Sequence, residues 1–416
     1  MGLPADDPPR PNAPLPSGRG KRVLLAWEFG AGRTHVGNLL GVAKRLREAG
    51  VECLAALYEP GFAGEFAVLD IASVQNFVWP ARRRAPLAWP ERPITGLGDV
   101  LANLGFCDPP TLGAAIAHYR GLFSIFRPDA VLCETAPGAI LSARGRLPVF
   151  ACGSNLCLPP IEAEGFALYD RVAGPPSFDP GEILTGINAG LSRADAEPLK
   201  ALADMFKIDG VFPYGPAAFD VYAATRRQAL LPVHLPGVSR PIRQSEGNEI
   251  FVYLHGFVQS SAEAMETLRA LPAPTRLYMP GLTPANRALF AAERFTVEDR
   301  PVPLDLILKR SRCVVHHGGA QLTTACLAAG IAQVILAKEQ NNEIAGRFVA
   351  GRGLGFATGI GTATGRWLID AIGRASGDPE MRARCVADRP EFLAWIARDP
   401  SAIVADALLS RMAQSA

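Results

Sequence analysis

Residues 22–58 constrain the fold more than any other stretch of the chain. The run RVLLAWEF is short, continuous and apolar, as a strand buried on both faces requires. A turn, GAGRTH, follows it. From about Val36 to Ala49 the apolar residues Val36, Leu39, Leu40, Ala43 and Leu46 recur at helical spacing, while Lys44, Arg45, Arg47 and Glu48 face the other way. Gly50 stands where a helix stops, and VECLAALY opens the next strand. A strand–helix–strand unit this compact predicts two parallel neighbours in one sheet.

The same grammar returns at PDAVLCE and LPVFACG. Between residues 77 and 110 the chain is irregular and rich in Pro, Arg and Trp, which reads as a long surface excursion near a site. The section from Ile161 to Tyr222 reads as mostly helical. A polar stretch with Pro and Gly, LPGVSRPIRQSEGN, then looks like a linker. Beyond it EIFVYLHG, TRLYMPG, RFTVEDRP, RCVVHHGG and AQVILA are further strands, separated by helical segments such as SAEAMETLRAL. A length of 416 residues supports the division, since single cores stop growing near ~250–300 residues. The expected organisation is a disordered Pro-rich arm over 1–20, an N-terminal Rossmann-like domain over 21–235, a linker over 236–248, a C-terminal Rossmann-like domain over 249–395, and a terminal helix over 396–416 that can cross back. Two α/β parallel-sheet domains so joined leave a cleft, and ligands in such folds bind outside the C-terminal strand ends.

Several function classes are disfavoured. The net charge of +2 gives no electrostatic grip on nucleic acid or anionic membrane. No stretch approaches the roughly 20 apolar residues of a transmembrane segment, and the Pro-rich start has no secretory core. Asp6 stands where myristoylation after Met-Gly would want Ser or Thr. The eight cysteines are scattered, and the pair Cys152 and Cys157 lacks metal spacing, so a reducing cytoplasm is expected, with no metal.

The segment RCVVHHGGAQLTTACLAAGIAQ carries the most chemistry. A buried strand runs into two glycines and then directly into a helix. Helix N-termini offer unpaired N–H groups and partial positive charge, and glycine lets a phosphate come close. His317 and Thr323 can add side-chain donors. A plain strand–turn–helix without ligand is the alternative.

This stretch resembles the donor-binding signature of family 1 glycosyltransferases of the UDP-glycosyltransferase and macrolide-glycosyltransferase type, roughly H-G-G-x-G-T-T-x-x-x-L-x-x-G-V-P-Q followed by an Asp/Glu-Gln pair. His317, Gly318, Gly319, Thr323, Leu327, Gly330 and Gln333 fall in register. The stretches WEFGAGRTHVGNLLGVAKRLREAG and FVYLHGFVQSS are similar to the first loop and helix and to the start of the second domain of bacterial members. The resemblance implies the GT-B fold, a UDP- or dTDP-sugar as co-substrate with no cofactor, and inverting, metal-independent transfer to a hydroxyl of a small-molecule acceptor. It places His317, Gly318, Gly319, Gln321, Thr323 and His255 around the donor diphosphate and Val302 beside the nucleobase. The sugar-binding pair falls on Asn341 and Asn342, or on Glu339 and Gln340 if shifted by two residues. Gln321 and Leu322 depart from the glycine and threonine of the pattern, and the Asn pair lacks a carboxylate.

Inverting transfer needs a base, and histidine suits it because its pKa lies near neutrality. The resemblance puts His35, at the end of the first loop, in that role. Glu134, ending PDAVLCE, is its candidate carboxylate partner or else a helix cap. His316 reads as core, and His118 and His234 carry no motif. Trp79 and Trp89 line an acceptor pocket or anchor a loop. A dinucleotide site at Gly30 and Gly32 with Glu59 fails because His35 stands where its third glycine must be. An epimerase or hydrolase on the same fold fits the spacing less well. The stronger rival is a catalytically inactive, glycosyltransferase-like binding or regulatory protein, motivated by Gln321, Leu322 and the Asn pair.

Overall fold

The computed structural model describes residues 20–30, 33–80, 94–163, 165–169, 175–235, 237–238, 241–254, 258, 261–338 and 340–414. They build two six-stranded sheets, every pairing of which is parallel. The first comprises β1 (Arg22–Trp27), β2 (Glu52–Leu57), β3 (Ala72–Gln75), β4 (Ala130–Glu134), β5 (Val149–Ser154) and β6 (Gly210–Tyr214), in the order β3-β2-β1-β4-β5-β6. The second comprises β7 (Glu249–Tyr253), β8 (Thr275–Tyr278), β9 (Phe295–Glu298), β10 (Ser311–His316), β11 (Ala332–Ala337) and β12 (Gly355–Gly359), in the order β12-β11-β10-β7-β8-β9. The two orders are equivalent when each sheet is counted from its first strand. In both, the chain reverses its direction of winding between the two central strands, at β1/β4 and at β7/β10. Crevices of this kind hold ligands in doubly wound folds.

Burial explains the apolar strands. Along β1 the side chains Val23, Leu25 and Trp27 join one core cluster and Leu24 and Ala26 another, so both faces are covered. The first helix, Arg33–Glu48, covers one face with Val36, Leu39, Val42, Ala43 and Leu46. It begins at Arg33, ahead of the expected Val36, which puts His35 in its first turn and not in the loop. The terminal helix Pro400–Gln414 lies on the same cluster through Val404, Ala405, Leu408 and Met412. Each such Val, Leu or Met contributes about 1.5–3 kcal/mol when fully buried. Arg45–Asp399 and Arg411–Asp209 ion pairs, each at 2.9 Å, flank this contact.

Two sequence expectations need correction. The described ends of the 77–110 stretch are core: Trp79 is fully buried, stacked on Phe106 at 3.9 Å, and Leu97 and Leu101 of the Leu97–Leu104 helix join the same cluster. Trp89 lies outside the described residues. The section from Ile161 to Tyr222 holds one long helix, Pro180–Arg193, and also β6, whose Pro213 is tolerated because the strand is an edge.

The two halves share apolar packing. Leu156, Tyr169, Phe219, Val233, Leu235 and Ile242 belong to the core cluster of the second sheet. Phe219 meets Phe348 edge-on at 5.4 Å, and Phe348 meets Phe392 at 6.0 Å. Seven of the eight cysteines are buried and all are free. No described helix is long and apolar enough to cross a membrane.

Candidate active site

The reversal at β1/β4 brings the ends of those strands together, with Trp27 paired to Glu134. Just beyond β1, the first helix turns His35 back over them. His35 Nδ1 lies 2.6 Å from Glu134 Oε2, and Asn38, one turn along the same helix face, donates from Nδ2 to Glu134 Oε1 at 3.0 Å. Both carboxylate oxygens are therefore held. Trp27 stacks on the imidazole at 5.5 Å with planes 20° apart. The Thr135 hydroxyl approaches Nδ1 at 3.5 Å, from a residue with φ of 48°, a conformation that costs a β-branched residue strain. Gly30, at φ of 86°, is required here, since a Cβ would stand 2.4 Å from His35 Nε2.

His35 keeps 17% of its side chain exposed and Glu134 only 1%, so the imidazole is accessible and the carboxylate enclosed. Burial disfavours the charged imidazole, but Glu134, through its charge and its hydrogen bond, and Glu59 outweigh it, so the His35 pKa is raised. With Nδ1–H donating to a carboxylate, the neutral ring carries its lone pair on Nε2.

At the second reversal, β10 ends at His316 and the chain turns through His317, Gly318 and Gly319 into the helix Ala320–Ala329. His316 is core: it contacts Gln333 Oε1 at 3.0 Å, and burial pushes its pKa down to about 4. His317 Nδ1 lies 3.3 Å from the Leu336 carbonyl and the ring meets Tyr253, at the end of β7, edge-on at 6.2 Å. Gly318 has φ of 87°, and a Cβ there would press on Ile335 at 2.8 Å and on the Asn342 carbonyl at 2.9 Å. Asn342 is thus brought to the turn. The N-cap of this helix, Gly319, has no side chain to bond the first turn, and among the described residues a Cβ there would meet nothing within 4 Å, which leaves space over the N-terminus.

The remaining expected residues are placed less uniformly. Thr323 is fully buried and donates to the Gly319 carbonyl at 2.9 Å, which uses its hydroxyl hydrogen within the helix. Gln321 reaches toward the first sheet, accepting from Thr34 Oγ1 at 2.9 Å and donating to the His234 carbonyl at 2.7 Å. Val302 is half-buried against the second core. His255 and Glu339 lie outside the described residues, as do the side chains of Gln340 and Asn341. Among the described residues no group of three His, Cys, Asp or Glu could hold a metal ion.

Glu28, next to Trp27, was not singled out by sequence. It is fully buried and accepts from Gly138 N at 2.9 Å and Ala139 N at 2.7 Å. Burial outweighs these bonds and the approach of Tyr119 and Trp79, raising its pKa to about 7. The folded state therefore binds a proton that the unfolded state releases near pH 4.5, so stability falls as pH rises between those values. Unfolding free energy should drop from pH 5 to pH 8 by on the order of 3 kcal/mol from this group. Urea titrations of Glu28→Gln should show most of that drop abolished; an unchanged drop would assign it elsewhere. Beside Glu28 an apolar recess is lined by Phe29, Leu97, Leu101, Pro137, Ile140 and Phe206, and Thr135 connects it to the His35 pair.

Comparison with known proteins agrees with this architecture. Residues 296–407 match the model of the erythromycin biosynthesis protein CIII-like C-terminal domain. The elloramycin glycosyltransferase ElmGT of Streptomyces olivaceus is 44% identical over 62 residues, 15% of this chain and 16% of that protein. The calicheamicin glycosyltransferase CalG4 superposes with a TM-score of 0.68 at 17% identity, over 96% of this chain and 100% of that one. The glycosyltransferase VinC, solved in complex with dTDP, gives 0.61 at 15% identity, over 95% and 100%. At such identities the structural likeness establishes the fold, which is GT-B.

Proposed function

We propose that the protein is an inverting, metal-independent glycosyltransferase, a reading supported by its GT-B fold and by the match of residues 296–407 to the CIII-like C-terminal domain model. It moves a sugar from a UDP- or dTDP-sugar to a hydroxyl of a small-molecule acceptor. The observation that carries this reading is the buried Glu134 holding His35 at the first switch point, with the Gly318–Gly319 turn of the second brought to the same cleft by the Thr34–Gln321 contact.

In this reading residues 249–395 hold the donor and residues 21–235 the acceptor, and the protein works in the cytoplasm. The donor diphosphate sits over Gly319, where the helix N–H groups and His317 favour its charge. Gln321 does not crowd it, because its amide is directed to the first sheet. Asn342 and Asn341 hold the sugar, and Val302 lies by the base. The acceptor, bound by residues 21–235, offers a hydroxyl to His35 Nε2. Nε2 takes the proton as the oxygen bonds to the anomeric carbon; the bond from that carbon to the diphosphate breaks, and the nucleoside diphosphate leaves from the opposite face. Glu134 stabilises the imidazolium so formed. VinC was solved with dTDP, which supports testing that nucleotide first.

The test is thermal unfolding with UDP, dTDP, GDP and ADP, in wild type and His317→Ala. A nucleotide at ~100 times its Kd should add about 2.7 kcal/mol of stability. A shift with UDP or dTDP that is lost in the variant is the expected result. No shift with any nucleotide would favour the non-catalytic reading.

A further inference from the structure

One side chain joins the first turns of the two helices that frame the cleft. Gln321, in the helix Ala320–Ala329, donates from Nε2 to the His234 carbonyl at 2.7 Å and accepts at Oε1 from Thr34 Oγ1 at 2.9 Å. A backbone carbonyl can only accept, so His234 fixes which way the amide points, and Thr34 must donate to the oxygen. Packing around His234 is close. Its Nδ1 lies 3.3 Å from Ser401 Oγ at the start of the terminal helix. A Cβ on Gly41, in the same helix as Thr34, would stand 2.3 Å from that hydroxyl and 2.9 Å from His234 Cε1. The first helix, the segment leading to the linker and the terminal helix thus meet at one point, and Gln321 reaches it from the second sheet. The resembled motif has glycine at this position, and glycine can make neither bond.

We propose that Gln321 is a latch that holds the Ala320–Ala329 helix against the His35 helix, fixing the diphosphate turn relative to the base. Gln321 is a positioning residue: it acts through Thr34, the neighbour of His35. Its effect on transfer rests on the glycosyltransferase reading, whereas the latch itself does not. Opening it admits water to the cleft, so the donor is lost to hydrolysis more often.

Amide hydrogen exchange of the ligand-free protein tests the latch without any assumption about substrates. Exchange over residues 37–40 and 323–326, the first hydrogen-bonded amides of the two latched helices, should rise roughly fivefold for each hydrogen bond lost in Gln321→Ala and Thr34→Val, with β1 and β7 unchanged. The double variant should exceed Gln321→Ala only slightly, because the two share one bond. Unchanged exchange, or full additivity, would overturn the latch. Should Gln321→Ala fail to fold, Thr34→Val alone decides, since it removes a single exposed hydroxyl. With a donor that wild type accepts, the ratio of hydrolysis to transfer should rise several-fold in Gln321→Ala, and Gln321→Glu, which loses the donor to His234, should not rescue it. Raised exchange with an unaltered ratio would overturn the positioning role. Absence of transfer in wild type would count against the glycosyltransferase reading and leave the exchange result to judge the latch.

Discussion

Replacing His35 with alanine should lower turnover by roughly 10²–10⁴ while leaving nucleotide-induced stabilisation nearly unchanged, the span expected for loss of a positioned general base. The split between the two readouts follows from where the residue sits. His35 belongs to the first switch point, and the turn proposed to take the diphosphate belongs to the second. Removing the imidazole leaves Gly318, Gly319 and the helix N-terminus that follows them in place. It does uncover the Glu134 carboxylate, which is 1% exposed and would keep the Asn38 amide as its hydrogen-bond donor. Some loss of thermal stability is therefore expected from a buried charge left under-compensated. Turnover and donor-induced shift should each be measured against the variant's own baseline. Turnover equal to wild type would remove His35 from the mechanism.

How much of this was legible in the sequence depended on burial. β1, β2, β4, β5, β7, β10 and β11 are apolar on both faces and stand out as runs. Of the edge strands, β3 (ASVQ) and β12 (GFATG) are short and polar or glycine-rich, and β6 carries a proline, so nothing in their local pattern marks them. Glu134 could be named as a candidate partner of His35 only beside a helix-cap reading, because their approach depends on β1 pairing with β4 across 99 positions of chain, which no local pattern encodes. Asn38 left a trace: it is a polar residue inside the buried stripe of the first helix, three residues from His35. Glu28 left a similar one, a charge closing an apolar run. His234 left none, because its carbonyl does the bonding and any residue supplies a carbonyl. Gln321 was visible as a departure from the motif, but whether it crowded the turn or reached elsewhere depended on the proximity of Thr34.

Glu134→Gln should lower turnover by about 10²-fold or more and move the acid limb of the kcat/KM profile to lower pH. The substitution isolates charge from geometry. Asn38 Oδ1 is buried without a partner, so the Asn38 amide can turn over and accept from the new amide nitrogen, leaving the new amide oxygen to accept from His35 Nδ1–H. What disappears is the negative charge. In wild type that charge outweighs burial and raises the His35 pKa, so the base is protonated, and idle, up to a pH above the ordinary imidazole value of about 6.5. Without it burial prevails and the pKa falls. The variant base is then neutral over more of the pH range yet slower at every pH, because the imidazolium formed on proton transfer is no longer stabilised. Stability gives a second, independent sign. A histidine whose folded pKa is raised contributes stability that is complete below the unfolded value and is lost as pH rises through the folded one. The wild-type excess over Glu134→Gln should therefore be largest below about pH 6.5 and shrink above it. An acid limb that stays in place would show that another group titrates there, and with it the pairing of Glu134 and His35 would lose its catalytic meaning.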